Sequence, residues 1–227
     1  MASIIDQPLA APLSSGALGA AANDAVLERS RRIVDAASEL LEEEGLEGLT
    51  IRAVLARTGL ARRAFYERFA GKDDLVLAVF EQTLRLATSR YDMEVRALPD
   101  PIERLKLIVT SIVLGRIGVE GADVARGNRR GVAMSREHLR LAESRPDDLQ
   151  TALSPFLDLI ARQLSDGMEA GLVRRVAPQR LATLVYNMVA TTVHTQLLAE
   201  EASEPDPAHR AELAADIWEF CRRAIAA

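Results

Sequence analysis

An all-α fold is predicted by three observations. Apolar residues recur at helical spacing along most of the chain, no stretch of residues 28–225 alternates with the two-residue period of a strand, and aromatics are only 4% of 227 residues. A core so poor in rings is filled by Ala, Leu, Val and Ile, which suits helices packed on helices. Hydrophobic residues at 48% and charged residues at 27% are ordinary for a soluble protein and argue against disorder over most of the length. About nine helices and no sheet are expected, as a short N-terminal three-helix unit followed by a larger helical body.

Residues 1–26 carry Asp6 and Pro8 early and lack the basic start and apolar run of a secretion signal, so a mobile tail is expected there. The first helix is predicted from Glu28 to Glu44, with Ile33, Val34, Ala37, Leu40 and Leu41 on one face and Gly45 as its stop. Glu42, Glu43 and Glu44 sit badly at its negative end. Thr50 caps a second helix, Ile51 to Arg57, with Leu49 and Val54 placed as a hydrophobic staple. Gly59 separates this from a third, about Ala61 to Phe69.

A long fourth helix opens after Gly71 with Asp73 and Asp74 and ends before Pro99, and a fifth spans about Ile102 to Ile117. Five glycines between Gly115 and Gly131 predict a loop or poorly formed helix, before a firmer helix from about Val132 to Glu143. Helical periodicity then runs from Pro146 to Gly171, where Pro155 either starts a new helix with Ser154 as cap or kinks a continuous one. The last two helices are Pro178 to Leu198 and about Pro207 to Ile225, the latter capped by Asp206. No run reaches the roughly 18 uncharged apolar residues of a membrane span, so a soluble, cytoplasmic protein is expected. The single cysteine, Cys221, cannot form an internal disulfide and agrees with a reducing compartment.

The net charge of −5 hides an asymmetry. Between Thr50 and Lys72 stand Arg52, Arg57, Arg62, Arg63, Arg68 and Lys72 against one acid, Glu67, so this window carries +5 and the remainder −10. A basic patch on an acidic body attracts phosphate while the body resists unspecific clinging. Two short helices joined at Gly59 have the length and pattern of a helix-turn-helix. At 100° per residue the second of them puts Ala61, Phe65 and Phe69 on a packing side and Arg62, Arg63, Tyr66 and Glu67 on the other. Arg62 and Arg63 can bind phosphates or read guanine bidentately, Tyr66 can donate its hydroxyl to a phosphate, and Glu67 can accept from a cytosine amino group. Arg52 is a further phosphate candidate, whereas Arg57 suits the negative end of its own helix.

Through Gly45, Leu49-Thr50, Val54, Ala56, Thr58-Gly59-Leu60, Phe65-Tyr66, Phe69, Lys72 and Leu75, residues 29–75 resemble the DNA-binding domain of TetR-family transcription regulators. The resemblance implies that Thr50, Tyr66 and Lys72 hold the phosphate backbone of a double-stranded operator and that Arg62 and Arg63 lie in the groove. Ala61 replaces the Ser or Thr cap common in the family, and Arg63-Ala64 replaces a frequent Gly-Thr pair, so the operator sequence is not inherited. The domains expected are a tail over 1–26, a helix-turn-helix domain over 27–72, and a ligand-binding and dimerisation domain over 73–227.

One short helix reads few bases, so readers of this kind pair about a twofold axis. The homodimer interface is expected on the last two helices, at Leu181, Val185, Met188, Thr192, Leu213, Ile217, Trp218 and Cys221, which can form a four-helix bundle with their copies. The resemblance also implies a mostly apolar pocket for a small-molecule effector beside the fourth helix; Met93, Ile108, Ile112, Met134, Phe156 and Ile160 are candidate lining residues, with His138 as polar anchor. No catalytic constellation, metal-ligand spacing or cofactor loop appears, since the histidines are scattered at 138, 194 and 209. The function expected is a ligand-responsive repressor released from a palindromic operator; the alternative is a helical dimeric binding module without DNA binding.

Overall fold

A computed structural model describes residues 15–115, 124–199 and 206–227. Among them are nine helices: α1 (Ser15–Gly48), α2 (Ile51–Thr58), α3 (Arg62–Tyr66), α4 (Lys72–Val95), α5 (Pro101–Val113), α6 (Val124–Ser144), α7 (Pro146–Glu169), α8 (Pro178–Ala199) and α9 (Pro207–Ile225). The sole β pairing among the described residues is an isolated antiparallel bridge, Val173 to Ala226, that ties the chain's end to the α7–α8 connection.

Helix α1 begins inside the expected tail, so residues 15–26 are corrected to helix, while residues 1–14 lie outside the described residues. Ala20, Ala21 and Ala22, the best helix formers, stand in that segment and outweigh its glycines. Gly45 interrupts helical geometry at φ 70°, a value that costs a glycine little, and one more turn follows to Gly48. Two of the three glutamates there are answered from elsewhere in the fold: Arg57 donates to Glu43 at 2.6 Å, and also lies 3.6 Å from Glu39, while Arg130 of α6 pairs with Glu42. Thr50 caps α2 by accepting from the Ala53 N–H at 3.1 Å, and Gly59 closes it in the left-handed region at φ 67°.

Two elements are shorter than expected. Helix α3 runs only from Arg62 to Tyr66, with Ala61 at its N-cap position making no side-chain bond, and α5 stops at Val113 because Gly115 turns left-handed at φ 68°. The glycine-rich segment differs in the other direction: α6 is already helical from Val124, and residues 116–123 lie outside the described residues. Tertiary contacts outweigh the glycines here. Arg130 is anchored between Glu42 and the Thr83 hydroxyl, and a Cβ on Gly131 would stand 3.3 Å from a terminal methyl of Leu197 of α8, so this glycine packs closely on that leucine. Pro155 starts no new element, for α7 runs through it.

Buried side chains form two clusters. A smaller one gathers Ile33, Leu40, Leu41, Leu49, Val54, Phe65, Phe69, Leu75, Val76 and Val79 around α1 to α3 and the first turns of α4. The larger is built by α4, α5, α7, α8 and α9, with α7 packed against α4, α5 and α8, and α9 against α5. The expected boundary at 72/73 falls where α4 begins, and α4 serves both clusters. Helix α6 also serves both: Ala133 belongs to the smaller cluster and Met134 packs against each. Among the described residues no helix is long and apolar enough to cross a membrane.

Candidate nucleic-acid interface

The platform under α3 is made by its own phenylalanines. Phe65 is fully buried and Phe69 nearly so, their ring centroids 5.3 Å apart, and burying each contributes about 1.5–3 kcal/mol. This pins a five-residue helix that lacks a capping side chain and is too short to hold by backbone bonds alone. Arg62, Arg63, Tyr66 and Glu67 then fall on its exposed side. Tyr66, 46% exposed, stacks edge-on against Phe65 at 5.3 Å.

On that exposed face the side chains are ordered by one another. Arg62 donates to the Tyr66 hydroxyl oxygen at 3.3 Å with its guanidinium 5.6 Å from the ring centre, which leaves the hydroxyl proton free to be donated outward. Arg63, its side chain 91% exposed, donates to Glu67 at 3.2 Å, and Arg29 of α1 reaches the same carboxylate at 3.7 Å. Glu67 is therefore answered by two cations. Thr50 and Arg52 are exposed at the start of α2, and Lys72, also exposed, donates to the Leu46 carbonyl at 2.9 Å. Arg57 turns away from this face to its α1 carboxylates, which also raise its pKa.

The start of α4 is bound to the larger cluster by charge. Asp74 accepts from the Ala70 N–H at 2.9 Å and from Arg145 at 2.8 Å, contacts that hold its carboxyl below the usual range, and Arg140 lies 3.4 Å from Asp73. Both arginines stand at the α6–α7 junction, so ion pairs tie that junction to the helix that follows the basic face.

Of the pocket candidates, Ile108, Ile112, Phe156 and Ile160 meet in the larger cluster, and Met134 is partly buried between the two. Met93 is corrected: at 66% exposure on the outside of α4 it lines no interior. His138 stands among rings distant from it in the sequence, with centroids 5.9 Å from Phe80, 6.1 Å from Tyr186 and 4.7 Å from His194. Tyr186 and His194, eight residues apart on one helix face, were the available signal.

The interface candidates also change. Leu181, Val185, Ile217, Trp218 and Cys221 are all buried in their own chain's core, and Met188 and Leu213 pack against it, because the inward stripes of α8 and α9 are needed to close the body. Thr192 is partly buried and donates to the Met188 carbonyl at 2.8 Å. Burial pushes the Cys221 thiol up to about 11, which makes it inert at neutral pH. The outward apolar residues are instead Leu184, 56% exposed, and Phe220, 63% exposed.

Residues 33–79 match the family described as bacterial regulatory proteins, tetR family. A curated relative, the HTH-type transcriptional repressor Rv1474c of Mycobacterium tuberculosis, is 29% identical over 186 residues, covering 75% of this chain and 95% of its own. A TetR-family transcriptional regulator from Pectobacterium atrosepticum has the same fold with a TM-score of 0.69 at 19% identity, over 89% of this chain and 96% of its own. The fold is shared too by the transcriptional regulator FadR of Bacillus subtilis, solved in complex with stearoyl-CoA, at a TM-score of 0.65 and 18% identity over 86% of this chain and 98% of that one. A basic helix presented from a buried ring pair stands on a helical body of the same fold as these regulators: residues 33–79 are a DNA-binding domain like that of the bacterial regulatory proteins of the tetR family, and the chain is a DNA-binding transcriptional regulator.

Proposed function

We propose that the protein is a cytoplasmic homodimeric repressor whose two α3 helices enter successive major grooves of a palindromic operator and leave it when a small-molecule effector occupies the larger domain. The observation that carries this is the joint exposure of Arg62, Arg63 and Tyr66 above the buried Phe65 and Phe69. Arg62 and Arg63 reach base edges; Tyr66, Thr50, Arg52 and Lys72 hold phosphates. Glu67, already engaged by Arg63 and Arg29, aims Arg63. The domains divide at 72/73, and the outward sides of α8 and α9 around Leu184 and Phe220 meet their copies.

An effector shifts the operator equilibrium only by binding one domain spacing better than the other; a hundredfold preference is about 2.7 kcal/mol. The Arg145–Asp74 and Arg140–Asp73 contacts transmit that preference to α4. The apolar body, and the stearoyl-CoA held by the Bacillus subtilis regulator of the same fold, support an effector with a large apolar part. A mobility-shift titration with the DNA flanking the protein's own gene tests the proposal. A discrete complex that weakens steeply with salt is expected, and absence of any complex on flanking DNA overturns it.

A further inference from the structure

The chain has nine Phe, Trp and Tyr residues and three histidines, yet four of the former and two of the latter meet in one place. Tyr91 of α4 lies 6.0 Å from Phe156 of α7, Phe156 lies 5.9 Å from Tyr186 of α8, and Tyr186 lies 6.1 Å from His138 of α6, which also touches Phe80 of α4. His194 of α8 closes the row edge-on against His138 at 4.7 Å. The seam joins four helices, including α4 and α6, the two that also reach the DNA-binding unit.

Its imidazole end is poorly satisfied. The Nδ1 atom of His138 is buried with no hydrogen-bond partner, a condition that native cores seldom tolerate without a use. Gln163 is a second case: its Oε1 is buried and unpartnered, and it lies seven residues, two helical turns, beyond Phe156 on the same face of α7. Rings supply an apolar wall, and open polar atoms ask for a ligand group.

Metal is a poor answer, because no third His, Cys, Asp or Glu joins the pair among the described residues. A carboxylate is also poor, because the row's own members are rings without a fixed positive charge, and Arg130 on the same helix is committed to Glu42 and Thr83. A hydroxyl fits, since it donates to a bare imidazole nitrogen and accepts from a protonated one, and so suits either tautomer of each neutral ring.

We propose that this seam is the effector site and that His138 and His194 hold the hydroxyl of an otherwise apolar alcohol or phenol, whose body lies against Phe80, Phe156 and Tyr186. The inference rests on the ligand-responsive reading but is tested without DNA. Three probes share one body: 2-naphthol, naphthalene and 2-naphthoate. With the intact protein, 2-naphthol should bind about tenfold tighter than either of the others and should shift the His138 side-chain nitrogen resonances. His138→Leu should erase the preference for 2-naphthol over naphthalene while leaving naphthalene binding and the fold intact; His138→Gln, which keeps a hydrogen-bonding end, should restore part of it. If the leucine variant does not fold, the comparison is made between His138→Gln and His194→Leu, and the second must lose the preference.

Equal binding of 2-naphthol and naphthalene, tightest binding of 2-naphthoate, no saturable binding of 2-naphthol, or a preference unaffected at both histidines each overturns the proposal. Operator binding is measured separately on the same preparations. A selective naphthol site in a protein that ignores its flanking DNA would sink the regulator reading and leave this one standing.

Discussion

Arg130 and Glu42 offer a test in which the two halves of one ion pair behave differently. The Arg130 side chain is 8% exposed and that of Glu42 33%, and the guanidinium also donates to the Thr83 hydroxyl at 2.8 Å. In Glu42→Gln the cation stays buried without that carboxylate. Breaking a fully buried pair this way costs about 3–5 kcal/mol, which the partial exposure of Glu42 reduces to about 2–3 kcal/mol. In Arg130→Met the buried charge disappears, the Glu42 carboxylate stays one-third exposed, and Thr83 keeps its own bond to the Val79 carbonyl at 2.8 Å. Methionine refills much of the arginine stem, so the loss is about 1 kcal/mol. Urea unfolding at fixed protein concentration measures both, and the glutamine variant should have the lower midpoint with an unchanged slope. If the methionine variant is the less stable of the two, Arg130 is not the buried member of the pair and the account of why the glycine-bearing start of α6 is helical fails.

Three further outcomes follow from other parts of the fold. Burial beside His138 pushes His194 down to about 4 from its ordinary 6.5, so the unfolded chain binds the proton first; stability should be complete above about pH 7 and fall as pH drops from about 6.5 towards 4, by up to about 3 kcal/mol, as thermal melts across that window will show. Leu184→Glu or Phe220→Glu should halve the molar mass measured by light scattering while leaving the monomer folded, whereas Ile217→Ala, in the core at 6% exposure, should cost about 2–5 kcal/mol of stability instead. Gly59→Ala meets no atom within 4 Å, so only its positive φ is strained; a loss of about 1 kcal/mol is expected by denaturant titration, and no loss would mean the α2–α3 turn is not held left-handed.

Much of the DNA-binding unit was legible because its signals are local. Thr50 before Ile51, Gly59 after Thr58 and the spacing of Phe65 and Phe69 each act through neighbours in the chain, and caps, a left-handed turn and a helical face need nothing more. The partners of Glu42, Glu43 and Asp74 come from 88, 14 and 71 residues away, so charges that look misplaced in a window are balanced in the fold. The start of α6 is helical for the same reason: Gly131 weakens a lone helix but packs against Leu197 in the folded one. On α8 and α9 the apolar residues wrap so widely that periodicity reports two faces without saying which is inward; Leu181 and Ile217 went to the core and Leu184 and Phe220 to the surface. The ring seam was invisible because its members are separated by up to 114 positions, from Phe80 to His194, and only the fold brings them together.

The central claim, that Arg62, Arg63 and Tyr66 enter a duplex from a platform of two buried rings, is met most directly by equilibrium operator binding of the Arg62→Ala/Arg63→Ala variant across a salt series. All three side chains are exposed, so folding stability should stay within about 0.5 kcal/mol of the parent. Specific affinity should fall at least about a hundredfold, with the salt slope reduced by about 0.9 for each arginine that held a phosphate and unchanged for each that read a base. A variant that binds the operator within about twofold of the parent at every salt concentration would contradict the account.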